Sequence, residues 1–279
     1  MTFLEKLHQS VRHSNSTLCV GLDPNLDLLP QAIKSEFNSK EEQVLSFCKT
    51  VIDATQEHCA AFKPNLAFFE ALGAQGFSVL EEVLQHIPKN RIVIADAKRG
   101  DISSTAQHYK KAFFDVFDVD AITLSPLMGF ETLDAFSDDA SKAIYALTLT
   151  SNSGADDFLK QPFRDFDMMA QYIAHTLFER SVTHETHMGM VIGATQPEEL
   201  SSVIEHHSKA CLLIPGIGAQ GGSIDELADA LDNHEGIPLI NSSRQIIYAG
   251  ATEENWPEFV AAKALETKNS LQIITDRYV

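Results

Sequence analysis

The sequence predicts an α/β protein, a single (β/α)8 TIM barrel over residues 1–279, and three observations carry that reading. Eight short apolar runs recur along the chain, each ending in polar, glycine or proline residues. They are rich in Val, Ile, Leu and Ala without polar alternation, as parallel strands covered on both faces require. Segments of helical period separate them, and no linker, low-complexity tract or internal repeat interrupts the pattern. Eight such units in about 250 residues match one barrel. A doubly wound open sheet shares the alternation, because one sequence does not state strand order.

The runs are TLCVGLD, CAAFKPN, RIVIADAK, AITLSP, AIYALTLTS, MGMVIGAT, CLLIPGIG and IPLINSS. After the first, SKEEQVLSFCKTVIDATQEH sets Val44, Phe47, Cys48, Val51 and Thr55 on one helical stripe. Ser39 with Glu42 makes a capping box at its start. Thr195 with Glu198 and Ser223 with Glu226 are similar boxes opening the helices after the sixth and seventh runs. The chain from NSSRQIIYAG onward supplies the closing helices.

Composition narrows the partners. With 21 Lys plus Arg against 39 Asp plus Glu, the formal charge is -18, a field that repels nucleic acid and anionic membrane. An anionic small-molecule substrate then needs a local positive cluster. Cys19, Cys48, Cys59 and Cys211 are widely spaced in apolar stretches and read as reduced core thiols. The opening MTFLEKLHQSVRHS is charged throughout, without an apolar signal region, and no later segment reaches membrane-spanning length. The expectation is a soluble, cytoplasmic protein.

In such a barrel the chemistry gathers at the carboxyl ends of the strands, so the last residues of each run are the candidates. They are Asp23, Lys63 and Asn65, Asp96 and Lys98, then Ser151, Asn152 and Ser153, the turn PGIGAQGG, and finally Ser242, Ser243 and Arg244. Residues two apart on a strand share a face, about 6.6 Å apart, so Asp96 and Lys98 are expected to face one mouth, joined by Lys63 from the neighbouring strand. Carboxylates beside a lysine keep it protonated. A structural ion network at the rim is the other reading of such a group.

A second cluster suits a phosphate. Gly216, Gly218, Gly221 and Gly222 let the main chain approach closely, Gln220 can donate, and Arg244 can make a two-pronged contact. A glycine-rich turn can also be no more than a tight connection. Among eleven histidines, HETH at 184–187 is not HExxH, and His206 with His207 ends a surface helix; these are expected to be solvated, and no metal set is apparent. The RGD at Arg99 to Asp101 lacks an adhesion context.

The stretch DAKRGDISSTA resembles the D-x-K-x-x-D signature of the orotidine 5'-phosphate decarboxylase family, in its longer subfamily, whose usual form is DAKRGDIGxTA. GLDPN, FKPNLAFFEALG, SPLMGFETL, TSNSG, PGIGAQGG and NSSRQI follow in the family's order, so the resemblance spans nearly the whole chain. Ser103 departs from it, standing where the family commonly has glycine.

The resemblance implies a cofactor-free conversion of orotidine 5'-phosphate to UMP and carbon dioxide. Lys98 would protonate C6, with Asp96 beside the scissile carboxylate, Lys63 at the ribose and Asp23 on a ribose hydroxyl. Ser151, Asn152 and Ser153 would approach the pyrimidine edge, and Gly218, Gln220, Ser243 and Arg244 the phosphate. Asp101 and Thr105 would complete the partner's site in a homodimer. The sequence carries no motif for Schiff-base, thiamine or metal chemistry as an electron sink. Three rivals stand beside this reading. One is a metal-assisted sugar-phosphate enzyme of the same superfamily, another a silent nucleotide-binding barrel, and the third a Schiff-base aldolase using Lys98, against which the neighbouring carboxylates argue.

Overall fold

The computed structural model describes residues 1–193, 197–216 and 223–279. All eight apolar runs form strands: β1 (Leu18–Leu22), β2 (Ala61–Pro64), β3 (Ile92–Arg99), β4 (Ala121–Leu124), β5 (Ala143–Leu149), β6 (His187–Ile192), β7 (Leu212–Pro215) and β8 (Pro238–Ser242). Their order is β1 to β8 in a closed barrel, which selects the (β/α)8 fold over the open sheet. β1, β2, β4 and β8 are buried at every residue, which is why their sequences lack polar alternation.

The described chain divides into two compact units. One comprises Gln9–Ala97 with Ser242–Val279, the other Met1–His8 with Lys98–Asn241. In the first, β1 pairs with β2 so that Gly21 lies opposite Lys63, and β2 pairs with β3. The helix Lys40–Thr55 buries the foreseen stripe, with Ile52 added. Its capping box is complete: the Ser39 hydroxyl accepts from the Glu42 N–H at 3.1 Å, and the Glu42 carboxylate accepts from the Ser39 N–H at 3.4 Å.

In the second unit β4 to β8 pair in sequence order. Here the Ser223 hydroxyl caps the helix Ile224–Ala230 by accepting from the Glu226 N–H at 3.4 Å. The box expected at Thr195 lies outside the described residues. A helix that the sequence reading did not single out, Phe3–Ser14, precedes β1. The four cysteines are free and buried. No described helix is long and apolar enough to cross a membrane. Among the described residues no cluster of three His, Cys, Asp or Glu could hold a metal ion.

His187 and His207 correct the expectation of solvated rings. His187 opens β6, where its ring stacks on Phe3 at 5.9 Å, and its Nε2 accepts from the Cys211 N–H at 3.0 Å. His207 closes a 3-10 turn after the helix Pro197–Ile204 and packs edge-on against Phe178, 4 % exposed. His234 donates to the Ala210 carbonyl at 2.8 Å. Burial lowers all three pKa values, to about 4 for His187 and His207, with a further push on His207 from the neighbouring His234. These rings are folded neutral. The helix-end pattern could not reveal that the turn swings the second histidine inward.

A group whose pKa is lower folded than unfolded binds protons preferentially in the unfolded chain. Its stabilising effect is therefore complete above about pH 6.5 and is lost progressively down to about pH 4. Thermal melts should fall through that window, and His207→Leu should show a visibly shallower fall than wild type. Identical slopes for the two proteins would show that His207 binds its proton equally well in the folded and unfolded chain, against the burial argument.

Candidate active site

The first unit supplies the buried charges. Lys63, near the end of β2, donates from Nζ to Asp96 Oδ2 on β3 at 2.7 Å, and the two side chains are only 6 % and 9 % exposed. The strands fix this meeting: β2 and β3 are paired, and beyond the paired residues Asn65 bridges to Asp96. Burial works to lower the Lys63 pKa, but the charges of Asp96 and then Asp23 outweigh it and leave the ammonium held above its ordinary value. Lys63 stays charged because carboxylates surround it.

Asp23 follows β1 and is half-buried, and its Oδ1 is enclosed with no hydrogen-bond partner among the described residues. An enclosed carboxylate oxygen without a donor is costly in a folded chain, so this atom fits a donor brought by a ligand. Asn65 is spent structurally, its Oδ1 capping the helix Leu66–Glu70 by accepting from the Ala67 N–H at 3.3 Å. After β8, Ser243 precedes the short helix Arg244–Ile247, and Arg244 is exposed.

The second unit begins at Lys98, and here the backbone departs from what the strand pattern predicts. Lys98 is exposed and has φ +47. The rule that residues two apart share a face assumes extended backbone, so it stops at Ala97 and does not aim Lys98. The left-handed turn costs about 1–2 kcal/mol for a residue with a side chain. It is held by the Lys98 N–H, which donates to the Thr123 hydroxyl at 2.9 Å, and by the Ser125 N–H, which donates to the Arg99 carbonyl at 2.7 Å. Gly100 is required for the second contact, since a Cβ there would lie 2.6 Å from the Ser125 carbonyl oxygen.

Asp101 is half-buried and accepts from the Ile102 N–H at 2.8 Å, while Thr105 is exposed in the first turn of the helix Ser103–Lys110. Ser103 has φ +51. The backbone accounts for the glycine usual in the family: the position is left-handed, and serine occupies it under strain. Ser151 follows β5 and packs on Gly193 at the end of β6, where a Cβ would lie 2.8 Å from the Ser151 Cβ. Asn152 and Ser153 are exposed beyond it, and Gly216 turns the chain out of β7 with φ +98. Gly218 and Gln220, with Gly221 and Gly222, lie outside the described residues.

Sequence reasoning missed Thr123 and Tyr248. Thr123 sits inside an apolar strand, and its role depends on the turn at Lys98. Tyr248 lies past the end of β8, where no motif marks it.

A closed parallel barrel that carries an internal lysine–carboxylate pair on adjacent strands defines a (β/α)8-barrel enzyme. The model of the orotidine 5'-phosphate decarboxylase / HUMPS family matches residues 16–259, and the chain belongs to that family. Orotidine 5'-phosphate decarboxylase of Porphyromonas gingivalis is 40% identical over 255 residues, covering 89% of each chain. The enzyme of Herpetosiphon aurantiacus is 38% identical over 247 residues, 88% of this chain and 90% of the relative. The structure of Leishmania donovani OMP decarboxylase superposes with a TM-score of 0.79 at 32% identity, covering 98% of this chain and 99% of that one.

Removing one partner of the buried pair leaves the other charge stranded. Lys63→Met should lower unfolding free energy by about 3 kcal/mol, and adding Asp96→Asn should restore part of it; urea unfolding reads both, and an undiminished Lys63→Met protein would mean the pair is solvated. At position 103, glycine should melt above the wild-type serine and valine below it, because only glycine is indifferent to the sign of φ. A Ser103→Gly protein melting below wild type would contradict the left-handed backbone.

Proposed function

We propose that the protein decarboxylates orotidine 5'-phosphate to UMP and carbon dioxide in pyrimidine biosynthesis, within a single domain over 1–279, without a cofactor and in the cytoplasm. The observation that carries this is the buried Lys63–Asp96 pair, directly upstream of Lys98 in a chain of this family. Lys98 is the proton donor. The bond from C6 to the carboxylate carbon breaks, its electron pair stays on C6, and the Lys98 ammonium gives C6 its proton and is later recharged from solvent.

The carbanion at C6 has no adjacent carbonyl to spread its charge, so stabilisation is electrostatic, from charges fixed before the reaction begins. Asp96 lies against the substrate carboxylate and anchors Lys63; Lys63 contacts the ribose. Asp23 accepts from a ribose hydroxyl, which supplies the donor that its enclosed Oδ1 lacks. Ser151, Asn152 and Ser153 border the pyrimidine. Gly218, Gln220, Ser243 and Arg244 hold the phosphate, a remote grip whose binding energy orders the reacting end.

We also infer a homodimer in which Asp101 and Thr105 serve the partner's site, the two-fold arrangement commonest among oligomers. Support comes from apolar side chains left exposed on the loops that follow β3 and β4: Ile102 beside Asp101, then Leu127 and Met128.

Loss of orotidine 5'-phosphate absorbance with and without EDTA tests the reaction. Lys98→Ala should abolish turnover, whereas Arg244→Ala should act mainly on KM. Turnover by Lys98→Ala at the wild-type rate overturns the assignment, and loss of wild-type activity on chelation favours a metal-assisted relative. Asp101→Ala mixed with Lys98→Ala should regain activity, since a mixed dimer holds one intact site; no regain would argue against sharing.

A further inference from the structure

We infer that Tyr248 is a positioning residue for the substrate site: its phenol clasps the turn that carries Asp23 and ties it to the segment that carries Arg244. The inference rests on the decarboxylase reading above and adds a residue to it. The Tyr248 hydroxyl donates to the backbone carbonyl of Asp23 at 2.7 Å and accepts from the backbone N–H of Asn25 at 2.6 Å. One oxygen thus spans both sides of Pro24. The turn's own bond, Asn25 N–H to Asp23 carbonyl at 2.9 Å, closes over a single residue and holds the main chain less firmly than an external clasp does.

The clasp is itself fixed. The Tyr248 ring stacks on Phe47 at 5.4 Å and 15°, and Phe47 stacks on Trp256 at 5.5 Å and 22°. Phe47 and Trp256 are both buried, so the ring is seated against the core. At the other end the Tyr248 N–H donates to the Arg244 carbonyl at 3.3 Å, the final turn of the helix Arg244–Ile247. Asn25 then caps the next 3-10 turn, Leu26–Leu28, through its own side chain.

This matters for Asp23 because its enclosed Oδ1 awaits a donor, and a hydrogen bond to a ribose hydroxyl depends steeply on where that oxygen points. The phenol does not touch the reacting atoms. It sets the direction of a carboxylate that does touch substrate, and it makes that direction depend on the segment proposed to grip the phosphate.

Tyr248→Phe removes the clasp and keeps the stack. It should lower kcat/KM for orotidine 5'-phosphate about tenfold, the order of one lost hydrogen bond, mostly through KM, with a melting temperature close to wild type because the Asn25 N–H keeps its bond to the Asp23 carbonyl. The discriminating measurement is the cycle with Asp23→Asn. A residue that acts through Asp23 should cost little once Asp23 is disabled, so the double variant should match Asp23→Asn alone within about twofold. Two independent, multiplying losses, or wild-type kinetics for Tyr248→Phe, overturn this inference while leaving the decarboxylase reading intact. A fall in kcat/KM matched by a large fall in melting temperature assigns Tyr248 to stability alone and also overturns it. A wild-type protein that neither consumes orotidine 5'-phosphate nor binds UMP calorimetrically overturns the decarboxylase reading and this inference with it.

Discussion

The ion pair between Lys63 and Asp96 is the constraint around which the rest is arranged. Two charges with side chains less than a tenth exposed forgo several kcal/mol of hydration each, and a pair of this kind seldom improves on an apolar pair of equal volume. Its presence is therefore a cost to folding that packing elsewhere offsets. The register of β2 against β3 and the Asn65–Asp96 bridge bring the two strand ends together. What the pair supplies is a charge array that is rigid before any ligand arrives, and such an array does not have to reorganise during reaction.

The backbone departs from regular geometry where that array meets the signature. Lys98 and Ser103 both adopt positive φ, and Gly100 lies between them against Ser125. Each left-handed residue with a side chain raises the energy of the fold, and both lie within six residues of one another. Strain on this scale persists only where the surroundings over-determine the conformation. At Lys98 the Thr123 hydroxyl and the Ser125 N–H do so. The strand thereby stops obeying the two-residue repeat at Lys98.

The same geometry separates what could be read from the sequence from what could not. Strands buried on both faces announce themselves as unbroken apolar runs, and the Ser39–Glu42 box is a local contact between residues three apart, so both were legible. The Lys63–Asp96 pair was legible because opposite charges at the ends of neighbouring apolar strands of a barrel are driven to pair by the cost of burying either alone. The aim of Lys98 was not, because a positive φ in a residue other than glycine leaves no mark in composition. The burial of His207 depends on which way a short turn faces, and the clasp from Tyr248 joins residues more than two hundred positions apart. Neither has a local signature. The serine at 103 is the converse case: the resemblance flagged it as a departure, and the backbone supplied the reason.

The fixed charges of the strand ends suit the proposed reaction. Asp23, Lys63 and Asp96 together carry one formal negative charge, and in the proposed mechanism Lys98 would balance it. In that proposal a bound orotate carboxylate would add one negative charge on the side of Asp96. In the proposed reaction that charge would pass to C6 as carbon dioxide leaves, away from the Asp96 carboxylate and toward the Lys98 ammonium. The total is unchanged between ground state and carbanion, and only its location moves down the electrostatic gradient that the fixed charges set. Such a gradient discriminates between the two states without binding either more tightly overall, which is the condition for a charge array to raise kcat rather than merely lower KM. It does so only if the array keeps its shape, and that returns the burden to the buried pair and to the neutral contacts that hold the neighbouring turns in place.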